Sequence, residues 1–103
     1  ASNWRLIAGY LNGTMSSSSS GFSCPRDITL DPMGNIYVVD RDNARVQFFS
    51  TRQSNGTTIA GITGITGANA SLLNSPISVV LDTQLNLYVS DTVNHRIQKF
   101  MRY

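Results

Sequence analysis

Pro25 to Phe49 reads PRDITLDPMGNIYVVDRDNARVQFF, and Pro76 to Phe100 reads PISVVLDTQLNLYVSDTVNHRIQKF. Laid over each other at an offset of 51, without a gap, the two stretches agree at eleven of 25 positions. Several of the differences exchange Ile for Val or Leu. Self-similarity at a fixed period marks a chain built from stacking supersecondary units, none of which buries its apolar face alone. Upstream, Ile7-Ala8-Gly9 returns as Ile59-Ala60-Gly61 at offset 52, so one loop differs by a single residue.

Each unit parses as four short strands. Strand one is expected over Asp27 to Asp31 and Ser78 to Asp82, strand two over Ile36 to Val39 and Leu87 to Ser90, strand three over Arg45 to Phe49 and Arg96 to Phe100. Strand four is expected over Thr57 to Ala60, with its equivalent, Arg5 to Ala8, at the chain start. Pro32-Met33-Gly34-Asn35 supplies Pro and Gly for a tight turn, whereas Thr83-Gln84-Leu85-Asn86 has neither. Four-stranded units of about 40 to 50 residues set around an axis make a propeller.

Composition agrees with an all-β chain. The 103 residues are 41% hydrophobic, and all six acids are Asp, with no Glu to favour helices. Net charge is +2, carried mostly by Arg, which permits weak attraction to polyanions and no more. No apolar run is long enough to cross a bilayer, and no signal-peptide pattern opens the chain. The single cysteine, Cys24, excludes an internal disulfide. Asn12, Asn55 and Asn69 head glycosylation sequons in expected loops, where the same residue types also serve simply as turn formers.

Pro-x-x-Ile/Val-x-Leu-Asp, then Asn-Ile/Leu-Tyr-Val-x-Asp, then Asn-x-Arg-Ile/Val-Gln resembles the NHL repeat, most closely over Asp91 to Phe100. Departures are Asp27 and Ser78, where that family often has Gly, and the run Ser16 to Ser20, which reads as a flexible loop. The resemblance implies a β-propeller of four-stranded antiparallel blades, usually six. The 1–103 span would then hold two tandem repeats of one propeller, unit one over 25–60 and unit two over 76–100, with strand four at 5–8 donated to another copy. The expected order, four, then one to four, then one to three, predicts strand exchange between chain ends and head-to-tail closure of copies into a ring. A homotrimer gives six blades; a tetramer giving eight is the alternative.

Antiparallel order places the loops Gly9 to Cys24 and Gly61 to Ser75 on one face with the turns Arg41 to Ala44 and Thr92 to His95. Variable loops on a rigid scaffold are where binding concentrates, which makes Arg26, Arg41, Asp42, Val93 and His95 the candidate binding residues. Asp40 with Asn43 and Asp91 with Asn94 are expected to cap their turns through backbone N–H groups, and Arg45 and Arg96 to pair with the turn Asp. Their recurrence in both units points to structure rather than to metal or phosphate binding. Asp27 heads the strand nearest the axis, where copies could ring a cation. Trp4, Tyr37, Tyr88, Phe49 and Phe100 read as inter-blade core.

Three functions fit this outline. The leading one is a non-catalytic scaffold that self-assembles and binds protein or peptide on the long-loop face. The second is single-stranded RNA binding, which the resemblance admits and for which Tyr10 and Phe22 are the only loop aromatics. The third is a metal-dependent lyase-like or hydrolase-like enzyme, against which one His and no Glu argue. No catalytic residue, metal or cofactor is expected, and neither DNA nor a membrane is an expected partner.

Overall fold

Alternation along the strands decides what each sheet covers. In Ile36-Tyr37-Val38-Val39, Tyr37 and Val39 point to one side and Ile36 and Val38 to the other, so both faces are apolar. A sheet apolar on both faces needs a neighbour on each side. The computed structural model describes residues 4–102; residues 1–3 and 103 of the expected propeller span lie outside the described residues.

The first sheet runs β1 (Pro25–Leu30), β2 (Ile36–Asp40), β3 (Arg45–Phe49) and β4 (Thr57–Gly61), antiparallel and in chain order. The second runs β5 (Pro76–Leu81), β6 (Leu87–Asp91) and β7 (Arg96–Phe100), also in chain order. Strand three lies where the sequence places it in both units, while strand one begins two residues early, because Pro25 and Pro76 already pair with Asp40 and Asp91. A single 3-10 turn joins β2 to β3 at Arg41–Asn43, and another joins β6 to β7 at Thr92–Asn94. Ala44 and His95 follow these turns with left-handed backbone, φ 56° and 54°.

Tyr37, Val39, Val46 and Ala60 of the first sheet meet Val79, Leu87 and Val89 of the second, with Leu73 wedged between. Val39, Val46 and Val89 are fully buried, each contributing about 1.5–3 kcal/mol relative to exposure. Asp27 adds a polar link across this seam: its Oδ2 accepts the Val79 backbone N–H at 3.0 Å and its Oδ1 that of Ile28 at 2.9 Å. Oδ2 serves the blade contact, while Oδ1 stays within its own strand.

The second turn between strands one and two lacks Pro and Gly, yet it folds as the first does. Gly34 has φ 83° and Leu85 φ 64°. The equivalent carboxylates do the work. Asp31 accepts from the backbone N–H of Met33 and Asn35, from Asn35 Nδ2 and from the Tyr37 hydroxyl. Asp82 accepts from Gln84, Asn86 and Tyr88 in the same pattern. Four hydrogen bonds to one carboxylate outweigh the strain of a left-handed Leu.

Arg5 to Ala8 forms no strand in the single chain, and Trp4, expected in the core, is 93% exposed. The reason is geometric: residues 9–24 are fastened to the first sheet, which leaves the segment before them outside it.

Candidate functional site

The long-loop face is built by one device used twice. Asp40 Oδ1 accepts the Ser23 N–H at 2.7 Å, and its Oδ2 accepts Asn43 Nδ2 at 2.8 Å and Arg45 Nε at 2.8 Å. Arg45 then donates to the carbonyls of Ser17, Ser18 and Gly21, and Asn43 to that of Ser16. In the second unit Asp91 accepts from Asn74 N–H at 2.7 Å, Asn94 Nδ2 at 2.9 Å and Arg96 Nε at 2.7 Å. Arg96 donates to the carbonyls of Ala68, Asn69 and Leu72, and Asn94 to that of Gly67. Each pair of carbonyls is separated by 51 residues, the offset of the repeat.

Two expectations change here. Neither Asp40 nor Asp91 caps its own turn; no side-chain cap bond is made there. The carboxylate instead reaches back to the loop before strand one, because that loop runs alongside the end of strand two and brings a buried N–H to it. The Ser16 to Ser20 run is not a loose loop either, since four of its backbone and neighbouring carbonyls are held by Arg45 and Asn43. The Arg–Asp pairing stands as expected, at 2.8 and 2.7 Å.

Burial would push the Asp91 carboxyl up, but the Asn74 N–H, Asn94 and Arg96 outweigh it and hold it below the usual Asp value. Three donors on one carboxylate tie it to the loop, the turn and the strand at once. Among the described residues no three His, Cys, Asp or Glu side chains cluster as a metal site.

The candidate binding residues separate into two groups. Arg41, Asp42, Val93 and His95 lie in or just after the 3-10 turns, whose backbone is tied to the long loops through Arg41 N–H to Cys24, Asp42 N–H to Ser23 and Val93 N–H to Asn74. Their side chains stay at the surface, with Arg41 and Asp42 joined as an ion pair at 3.0 Å. Arg26 is exposed and lies within β1, one residue past Pro25, which pairs with Asp40 just before the first 3-10 turn. Of the two loop aromatics, Phe22 packs on Phe49 at 5.5 Å between ring centroids, and the Tyr10 hydroxyl shares a 2.6 Å hydrogen bond with Ser18 Oγ.

The edge of β7, where pairing between chain ends is expected, is open, and Ile97 beside it is 68% exposed while its equivalent, Val46, is fully buried in the seam between the sheets. One surface escaped the sequence reading, a cleft of about 480 Å³ between the sheets, lined by Tyr37, Phe48, Ile59, Leu87, Phe100 and Arg102 among others. Local sequence carries no mark of a cleft made by two units 51 residues apart.

The family model for the NHL repeat matches residues 22–49 and 73–100. These spans contain strands one to three of each sheet and the Asp, Asn and Arg side chains of the device, but not the loop carbonyls they hold. No curated protein matches the chain.

Proposed function

This chain belongs to the NHL repeat family, a general protein-interaction fold, and on that premise we propose that it is a non-catalytic propeller unit whose copies close into a ring and present the long-loop face to protein or peptide ligands. Three copies give six blades. The observation that carries the reading is the unequal cover of equivalent positions. Ile28 and Leu30 are 55% and 57% exposed, while Val79, the counterpart of Ile28, is buried against the first sheet. The outer side of β1 therefore has the chemistry of a surface that is already an interface elsewhere in the same chain. Val80 and Ile97 on the far side of the second sheet, 59% and 68% exposed, supply the complementary apolar surface. A head-to-tail contact of this kind repeats the internal seam and closes when the rotation per chain divides the circle.

The polar residues common to both units are consumed in holding loops, so ligand recognition falls to side chains that differ between them: Arg41 and Asp42 in one turn, Thr92 and Val93 in the other. Single-stranded RNA has less support, because Phe22 is packed and Arg41 is paired with Asp42. Sedimentation equilibrium over a wide concentration range tests the assembly. The expected species has three times the 11.3 kDa chain mass, and a monomer at every concentration rejects the reading. Peptide-array binding by that species, reduced on replacing Arg41 or Val93 with Ala, tests the face.

A further inference from the structure

We propose that the cleft between the two sheets is the seat of Trp4 from a second copy, delivered by residues 4–9 pairing as a fourth strand along β7. This rests on the ring reading and assigns its partner residue. The argument begins with Gly-Thr-Thr-Ile-Ala-Gly at 56–61, which aligns with Trp-Arg-Leu-Ile-Ala-Gly at 4–9 at offset 52. In the first sheet the register is Arg45 to Gly61, Val46 to Ala60, Gln47 to Thr58 and Phe48 to Thr57, with a bulge between Val46 and Gln47. Transferred to the second sheet it sets Arg96 against Gly9, Ile97 against Ala8, Gln98 against Leu6 and Lys99 against Arg5.

Backbone conformation supports the transfer. Gly61 has φ 78°, and a Cβ there would overlap the Ala44 carbonyl oxygen. Gly9 already holds φ 94°, and His95, the counterpart of Ala44, has the same left-handed backbone as Ala44. The segment's own sheet cannot host it. Gly9 packs beside Phe22, with a notional Cβ 3.4 Å from the ring, so residues 4–8 leave from the outer side of the first sheet.

The direction of residue 4 follows from Gly56. A Cβ on Gly56 would lie 2.8 Å from Gln47 Nε2 and 2.8 Å from Phe49 Cζ, so this position faces the Gln47 and Phe49 side of its sheet. In the second sheet that side carries Gln98 and Phe100, and it is the side that packs on the first sheet. A residue placed there enters the cleft. Phe49 fills the equivalent space and is held by Phe22, which makes glycine obligatory at 56. Phe100 has Leu73 where Phe49 has Phe22, and an open cleft beside it, so the ring can stand aside for a larger neighbour. The lining of Tyr37, Phe48, Ile59 and Leu87 suits an indole, and 480 Å³ lies within the range of sites that enclose a small aromatic group.

Trp4 is the only tryptophan, so its emission reports the site directly. Fluorescence and sedimentation are followed together on dilution of the full chain. The expected result is blue-shifted emission in the assembled species, moving red as the mass falls to that of one chain. Trp4→Ala should raise the dissociation constant about thirtyfold or more, with Trp4→Phe between the two. A second variant guards against misfolding: Ile59→Trp narrows the cleft from the other side, and should weaken assembly while circular dichroism of the diluted chain stays unchanged. Assembly with red-shifted emission and no effect of Trp4→Ala overturns the seat and leaves the ring standing. A monomer at all concentrations overturns both.

Discussion

Asp40 and Arg45 stand opposite each other in the β2–β3 register and meet at 2.8 Å, with 0% and 2% of their side chains exposed. Their equivalents Asp91 and Arg96 meet at 2.7 Å, but Arg96 is 28% exposed because, among the described residues, no strand lies beyond β7. One ion pair therefore exists in two environments within one chain. Arg45→Ala should cost about 3–5 kcal/mol, since it leaves Asp40 buried and three loop carbonyls without donors. Arg96→Ala should cost about half as much in the dissociated chain, where water reaches the site. Urea unfolding of both variants at a concentration below assembly measures the difference; equal losses would contradict it.

Leu85 carries the positive φ that glycine carries at the same turn of the first unit. Leu85→Gly should therefore raise stability by about 1 kcal/mol, and Gly34→Ala should lower it by a similar amount. Thermal unfolding decides the sign. A destabilised Leu85→Gly would mean that Leu85 contributes more by lining the cleft than its backbone costs.

Burial favours the protonated form of Asp31 and Asp91, but hydrogen bonds from Asn35, Tyr37 and Met33 on the one, and from Asn74, Asn94 and Arg96 on the other, hold both below the usual Asp value. Asp82 is lowered first by the Asn86 backbone N–H. A depressed folded value means stability present above the unfolded value near 4 and lost as pH falls through the folded one. Unfolding free energy should be level from pH 7 to about 5 and drop below about 4. Burial, with the Asp31 carboxylate, pushes Tyr37 up to about 12. A raised value means stability intact below pH 10 and falling between 10 and 12. Acid titration followed by circular dichroism, and phenolate absorbance at high pH, check the two limbs.

The transferred register sets Lys99 against Arg5, two like charges directly across a strand pair, where opposite charges would be favourable. Lys99→Glu should tighten assembly several-fold at low salt, with the gain shrinking as salt is added. Wild-type assembly should respond to salt in the opposite sense. Sedimentation at low and high ionic strength tests both, and no change on Lys99→Glu would place Arg5 elsewhere.

The strands were legible because their constraints fall on side chains. Eleven identities in 25 positions fixed strand three to the residue and the Asp–Arg pairing with it. Turn chemistry was only half legible: Pro and Gly announced the first turn, while the second depends on an Asp82 cage that spacing alone does not reveal. The loops were not legible at all. SSSSSGFS at 16–23 and GANASLLN at 67–74 share only Ser20 and Ser71 in register, yet they present equivalent carbonyls to the equivalent Arg and Asn. A backbone oxygen leaves no trace in a sequence comparison. For the same reason Asp40 looked like a local cap, since its partner Ser23 is seventeen residues away.

Arg45 and Arg96 hold the loops at 16–21 and 67–72 by main-chain oxygens, a grip indifferent to which side chains those loops carry. A blade copied by duplication thus inherits a fixed outline together with a rim free to drift. Mutations across 16–20 or 68–72 that respect backbone conformation can change what is recognised without changing what is folded. The two rims already differ within this chain, so one scaffold carries two classes of ligand position.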